Sequence, residues 1–276
     1  MLKLLRADFS RLWKDRVFLL AAAILFLMGA GLPIIHFMDN RNNAAGWTPD
    51  ASCFSYAFFL PVLLAALISL YIGSEYSDGT MRNKRTVGHR RDSIYLANLI
   101  TCMAAGTMLC AAYLIPHTGF AIALLGKFES TPRTVLLYIA LNLVLTFAFS
   151  SVFVLISMLC QNKAYSSAVC ILLVFALLFW GIRITSALNE PEYYSAYSYT
   201  ENGVTVEAPD ERNPNYLTGT RRQVYEFLHD FTSGGQVLQL ANMDTGHPAR
   251  LALYSSLIVL VSTCGGVLAF RRKDLK

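Results

Sequence analysis

Charged residues are scarce in this chain of 276 residues, because they make up only 15% of it, whereas about 25% is usual for soluble domains. Apolar residues make up 55% of the chain. They fall in nearly uncharged blocks of about 20 residues, the length that an α-helix needs to cross ~30 Å of hydrocarbon. This distribution excludes a soluble fold and predicts an all-α, polytopic membrane protein.

The sequence also lacks the motifs of soluble enzymes and of metal sites. It has no CxxC pair, and its six cysteines all lie in or beside apolar blocks, which is typical of small buried hydrophobes. No two histidines have the i, i+4 spacing of a zinc protease. Gly126 and Lys127 resemble the end of a phosphate-binding loop, but Ala121 stands where that loop needs glycine. We therefore expect no catalytic site, no metal and no cofactor in this chain.

A net charge of +5 is compatible with nucleic-acid binding only if the basic residues form a patch with interleaved aromatics. They instead flank the apolar blocks, so we expect no nucleic acid as a partner. The blocks predict six spans, at about 17–38, 54–74, 94–115, 134–160, 164–185 and 251–270. Pro116 leaves two alternatives for residues 116–125: one long kinked helix, or a helix followed by a short re-entrant piece.

Three hydrophilic segments flank these spans. Residues 1–16 place leucines and Phe9 at helical spacing among basic residues, which indicates an amphipathic interfacial helix, with a merely basic flank as the alternative. Residues 75–93 are the most charged segment, in which Ser77 or Asp78 can cap a short helix from about Thr80 that Gly88 ends. Residues 189–249 form a long loop with nine acidic residues.

Most of the 23 Lys and Arg residues lie on the side that holds residues 1–16, residues 75–93, Lys163 and the C-terminal tail. The positive-inside rule makes this side cytoplasmic, with both termini inside and residues 189–249 extracytoplasmic. The span centres hold polar but uncharged residues, such as Asn98 and Asn142, and Arg183 can snorkel at an outer end. An ion-coupled carrier is therefore disfavoured. The basic segment 75–93 either docks a partner or anchors on anionic lipid.

Residues 75–84, EYSDGTMRNK, directly follow the second span, and they resemble the coupling segment of the ABC type-2 transporter permease family. In that family an acidic residue closes the second helix, a Gly-Thr pair follows, and the segment docks on the ATPase. Residues 227–240, FLHDFTSGGQVLQL, resemble the outer segment of the family that precedes the last span, although they lack its usual proline. The order of all these segments matches the same family.

The resemblance implies the non-catalytic membrane subunit of an exporter, surrounded by lipid in a bacterial plasma membrane. A pair of ATPase subunits would bind ATP and Mg, and a second permease chain, identical or different, would complete the substrate pathway. The implied ATPase-coupling residues are Glu75, Gly79, Thr80, Arg82, Lys84 and Arg85. The implied extracytoplasmic gate residues are Gly234, Gly235, Gln236 and Gln239.

Two other functions are weighed against export. One is a membrane sensor or resistance component that binds a cationic peptide through its acidic outer loop. The other is an intramembrane enzyme, which requires paired catalytic residues at one depth. The uncharged spans are compatible with a lipid, a hydrophobic drug or an amphipathic peptide as the substrate.

Overall fold

The computed structural model describes residues 1–194, 198–201, 204–207 and 211–273, with the side chains of 1–194 and 212–273. The helices are α1 Leu2–Leu12, α2 Arg16–Asn43, α3 Asp50–Cys53, α4 Tyr56–Ser77, α5 Thr80–Thr86, α6 Arg91–Leu125, α7 Pro132–Cys160, α8 Lys163–Leu188, α9 Gly219–Phe231, α10 Ser233–Ala241 and α11 Pro248–Arg272. The strands are β1 Tyr193–Tyr194, β2 Ser198–Glu201, β3 Val204–Glu207 and β4 Glu211–Arg212.

Six helices of the described chain are long and apolar enough to cross a membrane: α2, α4 with the preceding α3, α6, α7, α8 and α11. The predicted all-α fold with six spans is therefore confirmed. The helices extend past the predicted spans at most ends, because helical hydrogen bonding continues into polar flanking residues where hydropathy no longer marks it. For example, α2 continues to Asn43 instead of ending near residue 38.

The third span differs most from its prediction of 94–115. Helix α6 is continuous over 35 residues, with Pro116 inside it, so residues 116–125 extend the third span. The alternative of a separate re-entrant piece is wrong. Pro116 is buried in the bundle, an environment in which neighbouring helices help a long membrane helix to tolerate proline.

Local capping sets the shorter connections. The Asp15 carboxylate accepts hydrogen bonds from the backbone N–H groups of Val17 and Phe18, at 2.8 and 3.1 Å, and so begins α2. Between α7 and α8, Gln161 adopts a left-handed conformation and the Asn162 side chain caps α8. This explains the tight hairpin that the sequence predicts there.

The bundle has two ends. We call the end that holds α1, α5 and the last turn of α11 the termini end, and the end that holds residues 189–249 the loop end. Helix α1 packs on α6 and buries Leu4, Asp8 and Leu12, while Leu2 and Trp13 are exposed. The predicted amphipathic helix is thus present at the N-terminus.

The segment 189–249 contains two short antiparallel pairs, β1 with β4 and β2 with β3, followed by α9 and α10. Helix α9 exposes most of its surface, whereas every residue of α10 is buried. Helix α10 packs against α4, α7, α8 and α9. Parts of the acidic loop, including Asp210, lie outside the described residues.

Close helix contacts at glycine hold the bundle together. A Cβ atom built on Gly29 of α2 would lie 2.4 Å from the carbonyl oxygen of Tyr113 in α6. A Cβ atom on Gly31, two residues along the same helix, would meet no atom within 4 Å. Glycine is therefore needed at position 29 for packing, and the packing makes no such demand at position 31.

This difference gives a matched pair of variants. We expect Gly29→Ala to destabilise the protein by about 1–3 kcal/mol, because a rigid backbone carbonyl opposes the new methyl group. We expect Gly31→Ala to leave the stability unchanged or to raise it by up to about 1 kcal/mol, because alanine favours the helix. Thermal unfolding in detergent measures both. Equal midpoints for the two variants would contradict this account of the α2–α6 contact.

Candidate functional site

The carboxylate of Glu75 is the centre of a buried polar site at the termini end. Glu75 lies in the last turn of α4 and its side chain is fully buried. Its Oε1 atom lies 2.7 Å from Nη1 of Arg11 and 2.6 Å from Nζ of Lys84. Its Oε2 atom accepts a hydrogen bond of 3.2 Å from Nδ2 of Asn98. One carboxylate therefore contacts residues of α1, α5 and α6.

A second carboxylate, that of Asp8, completes the site. Nζ of Lys84 lies 2.7 Å from Oδ1 of Asp8, so the lysine bridges both acids. The hydroxyl of Tyr71 donates to the backbone oxygen of Asp8 at 2.8 Å, and the Arg11 guanidinium lies 3.8 Å from the centre of the Tyr71 ring. We call Asp8, Arg11, Glu75 and Lys84 the charge cluster. Its two acids and two bases leave it with no net charge.

Burial makes this balance necessary. A buried ion pair gives little net stability, but removal of one partner leaves an uncompensated charge that is costly. Burial raises the pKa of Asp8, because it disfavours the carboxylate, and the hydrogen bond from Lys84 opposes this shift. For Arg11, burial acts to lower the pKa, but Glu75, Tyr71 and Asp8 together outweigh it, and the pKa is raised. The cluster therefore fixes how α1 and α5 sit on the bundle.

The structure divides the predicted coupling residues into three groups. Glu75 and Lys84 point inward into the charge cluster, and Glu75 belongs to α4 and not, as predicted from the sequence, to the loop that follows it. Gly79 and Thr80 are half-buried. Arg82 and Arg85 are exposed on α5. Direct contact with another protein is therefore open to the two arginines and closed to the Glu75 side chain.

The predicted helix from Thr80 is present, but the expected cap is wrong. Neither Ser77 nor Asp78 caps α5; its N-cap residue is Gly79, with a φ of 68° and no side-chain hydrogen bond. The chain must reverse sharply between α4 and α5, and glycine adopts the left-handed conformation that this turn requires. Gly88, with a φ of 93°, follows the end of α5, as predicted.

Helix α5 presents a mixed outer surface. Met81 points into the bundle and is 1% exposed, so it anchors α5 to the bundle. Val87, immediately after α5, is 77% exposed. We define the α5 outer face as the exposed residues Arg82, Asn83, Arg85, Thr86 and Val87. It combines two positive charges with an apolar tip.

The start of α6 is clamped to the end of α11. Nη1 of Arg91 donates to the backbone oxygen of Arg271 at 2.7 Å and of Phe270 at 3.3 Å. The carboxylate of Asp92 accepts two hydrogen bonds from the Arg271 guanidinium, at 2.6 and 2.7 Å. Arginine at a helix C-terminus satisfies free carbonyl groups and complements the helix dipole. The segment that carries α5 is therefore tied to the last span.

The predicted gate residues lie together in α10 at the loop end. A Cβ atom on Gly234 would lie 1.8 Å from the carbonyl oxygen of Leu177 in α8, so the two backbones are in contact. Leu177 lies about 16 Å along the helix from the end of α8 at Leu188. Helix α10 therefore enters the bundle, and its start lies deep between the spans.

Polar side chains hold α10 in place. Nε2 of Gln236 donates to the backbone oxygen of Asp230 at 2.8 Å, and its Oε1 accepts from the Ser255 hydroxyl of α11 at 2.5 Å. Nε2 of Gln239 donates to the backbone oxygen of His229 at 3.1 Å. A Cβ atom on Gly235 would lie 2.2 Å from that same oxygen. All four predicted gate residues thus serve to pack α10 against α8, α9 and α11.

Sequence reasoning did not place Asp8, Arg11, Tyr71 and Asn98 in the buried polar site around Glu75. Asp8 and Arg11 stand three residues apart on α1, and Tyr71 and Glu75 four apart on α4, so each pair shares a helix face. This spacing was the available signal. Within the described residues, no group of three or more His, Cys, Asp or Glu side chains is placed to hold a metal ion.

Comparison with known proteins agrees with this architecture. Residues 4–179 match the family model described as ABC-2 family transporter protein. No curated protein matches the chain. Because the match covers most of the chain, from α1 into α8, the chain belongs to the ABC-2 transporter family. It is accordingly a multi-pass membrane protein and a permease of an ABC transporter, a class that associates with an ABC ATPase.

The charge cluster predicts a specific stability defect. We expect Glu75→Gln to destabilise the protein by about 3 kcal/mol, because it leaves two partly buried cations, Arg11 and Lys84, opposite one acid. Asp92→Asn is the control, since Asp92 pairs with the half-exposed Arg271 and exposed pairs contribute about 0–1 kcal/mol. Chemical unfolding in detergent measures both variants. A loss for Glu75→Gln no larger than that for Asp92→Asn would contradict the assigned role of the cluster.

A second prediction concerns His229 of α9. Burial lowers its pKa by disfavouring the charged ring, and Asp230 and Asp244 partly offset this. The unfolded chain, with an ordinary pKa of about 6.5, therefore binds the proton more readily, so stability falls as the pH drops below about 6.5. Nε2 lies 2.9 Å from Oγ1 of Thr185. We expect His229→Gln to keep this contact and to weaken the acid sensitivity.

The measurement for His229 is the unfolding midpoint of the wild type and the variant between pH 7.5 and 5. The two curves should diverge below about pH 6.5, with the wild type losing more stability. Parallel curves would show that another group causes the acid sensitivity.

Proposed function

We propose that this ABC-2 family permease forms the substrate pathway of an ATP-driven exporter and receives the force of ATP hydrolysis through the α5 outer face. The charge cluster carries the proposal, because it makes α5 a rigid attachment to the bundle. A short helix that moved freely would not transfer a movement of the ATPase to the spans. Helix α5 is bonded to α1 and α4 through Lys84, so it transfers such a movement to them.

The α5 outer face has the chemistry of a protein contact. Arg82 and Arg85 provide two positive charges, and the exposed Val87 provides an apolar tip. Such a surface suits a groove with acidic walls and an apolar floor on an ATPase subunit. A basic flank that only binds lipid would need neither the folded helix nor its buried anchors, Met81 and Lys84.

A continuous set of contacts leads from α5 to the loop end. The segment after α5 enters α6, where Arg91 and Asp92 hold the end of α11. Along α11, Ser255 donates to Gln236 of α10. We propose that movement of α5 shifts α6 and α11 together, and that α11 then displaces α10 through this contact. Helix α10 would thereby act as the gate on the exit side.

Orientation follows from charge in this proposal. The termini end is cytoplasmic, since it carries the basic residues of α1, α5 and the chain end, and the loop end is extracytoplasmic. The chain itself is proposed to be non-catalytic, with ATP and Mg bound by a pair of ATPase subunits. A second permease chain, identical or different, would complete the pathway in a bacterial plasma membrane.

The cationic-peptide sensor would use the acidic side chains of residues 189–249. Two of these already have partners within the protein, since Glu190 accepts a hydrogen bond from Asn213 and Glu226 pairs with Arg222. The intramembrane enzyme requires paired catalytic groups at one depth. The proposal of an exporter instead uses the buried charges that the structure describes, in the cluster around Glu75.

The proposal predicts the effect of charge reversal on α5. Arg82→Glu with Arg85→Glu should reduce both co-purification with the ATPase and ATP-dependent export by at least about tenfold, because like charges opposed across an interface cost several kcal/mol. The fold should be retained, since both side chains are exposed. Lys14→Glu is the control, because its side chain is exposed at the same end of the bundle but lies outside α5.

Unchanged binding and export in the double variant would contradict the coupling role of α5. An equal loss in Lys14→Glu would show that the total positive charge matters, and not the α5 outer face. Thermal unfolding of each variant in detergent confirms that the comparison is made between folded proteins.

A further inference from the structure

A cavity of about 400 Å³ opens at the loop end, between the last turns of α8 and the start of α9. Its lining includes Arg183 and Glu190 from the α8 side and Leu217, Arg221 and Tyr225 from the α9 side. Two arginines from separate helices thus face one space. The cavity is distinct from the charge cluster at the other end of the bundle.

The positive charge of this cavity is only partly offset by the described side chains. Nearby arginines have partners there: Arg222 bonds Glu226 at 3.0 Å, and Arg212 lies 3.8 Å from Glu192. Arg183 and Arg221 form no ion pair with any side chain that the structure describes. Glu190, the acid in the lining, accepts a hydrogen bond of 2.8 Å from Nδ2 of the neutral Asn213. Its charge offsets that of one arginine, so the lining keeps one net positive charge.

Helix energetics do not explain Arg221. It lies in the first turn of α9, where the helix dipole disfavours a cation. Arg183 alone is explained by snorkelling toward the membrane surface, but snorkelling does not explain why a second arginine shares its cavity. An anion bound between the two guanidinium groups accounts for both positions, since arginine binds phosphate and carboxylate oxygens with paired donors.

The surroundings of the cavity indicate where this anion comes from. The turn of α8 next to Arg183 exposes large apolar side chains: Phe179 is 62%, Trp180 is 63% and Ile182 is 51% exposed. In a membrane-spanning helix, such side chains face lipid tails or another chain. A ligand with an anionic head in the cavity and an acyl chain along α8 would match both surfaces.

We propose that the cavity binds the anionic headgroup of a membrane lipid, with its phosphate between Arg183 and Arg221 and its acyl chain along the apolar face of α8. This inference is independent of the proposed export function, because it requires neither ATP nor an ATPase. The bound lipid would hold the start of α9 against the end of α8, next to the α10 element.

The test uses Trp180 as a reporter, since it lies about one turn from Arg183. Trp13→Phe and Trp47→Phe leave Trp180 as the only tryptophan of the chain, and the full-length protein is placed in phosphatidylcholine vesicles. Phosphatidylglycerol or phosphatidylcholine with brominated acyl chains is then titrated, and quenching of Trp180 fluorescence gives the relative affinity of each lipid.

We expect the parent protein to bind brominated phosphatidylglycerol at least about fivefold more tightly than brominated phosphatidylcholine. This ratio corresponds to about 1 kcal/mol, the value for one charge near a membrane surface. Arg183→Gln with Arg221→Gln should abolish this preference. Arg133→Gln removes an exposed arginine at the start of α7, outside the cavity lining, and should keep it. Arg183→Lys with Arg221→Lys should retain part of it, because the charge remains and the paired donors are lost.

Two results would overturn the proposal: equal quenching by both lipids in the parent protein, or an equal loss of preference in Arg133→Gln and the double glutamine variant. If millimolar inorganic phosphate removes the preference, the cavity binds a free anion, and the lipid assignment is wrong. Native mass spectrometry of the otherwise unmodified protein provides a second measurement that does not depend on the tryptophan substitutions. It should show more retained phosphatidylglycerol in the wild type than in the double glutamine variant.

Discussion

The burial of the Glu75 carboxylate is the constraint on which the rest of the structure depends. A carboxylate with no exposed surface needs cationic partners and donors, and Arg11, Lys84 and Asn98 supply them from α1, α5 and α6. Each partner fixes the place of its own helix. A charge that would be costly alone therefore orders the whole termini end, where an apolar contact would permit α5 to slide.

The loop end is ordered by a different principle. Helix α10 reaches deep into the bundle because Gly234 and Gly181 permit backbone contact between α10 and α8, and close backbone approach is the usual role of small residues between membrane helices. Gln236 then satisfies its polar atoms with Asp230 and Ser255. The two ends are joined by α11, which Arg91 holds at one end and Gln236 contacts toward the other. A movement of α11 can therefore connect the termini end of the bundle with the loop end.

The sequence predicted the spans well, because a bilayer demands long apolar runs that hydropathy detects directly. It also predicted a short helix from about Thr80, through the cap and glycine residues around it, and the loop-end segment, through the resemblance of residues 227–240 to a known family. It did not predict the charge cluster. Asp8 and Arg11 look like the polar face of a surface helix, and only the docking of α1 on α6 brings them to Glu75. Likewise, the continuity of α6 through Pro116 depends on neighbouring helices that a single segment does not reveal.

The central claim is that the charge cluster makes α1 and α5 one rigid body during transport. Spin labels at the exposed Ala7 of α1 and at His89, whose backbone N–H donates to the carbonyl oxygen of Lys84 in α5, test this claim. After replacement of the exposed Cys264, pulsed electron resonance measures the distance between the two labels in the assembled transporter. The account predicts one narrow distance distribution that stays the same with and without ATP and broadens in Glu75→Gln. A distance that changes on ATP binding in the wild type would contradict it.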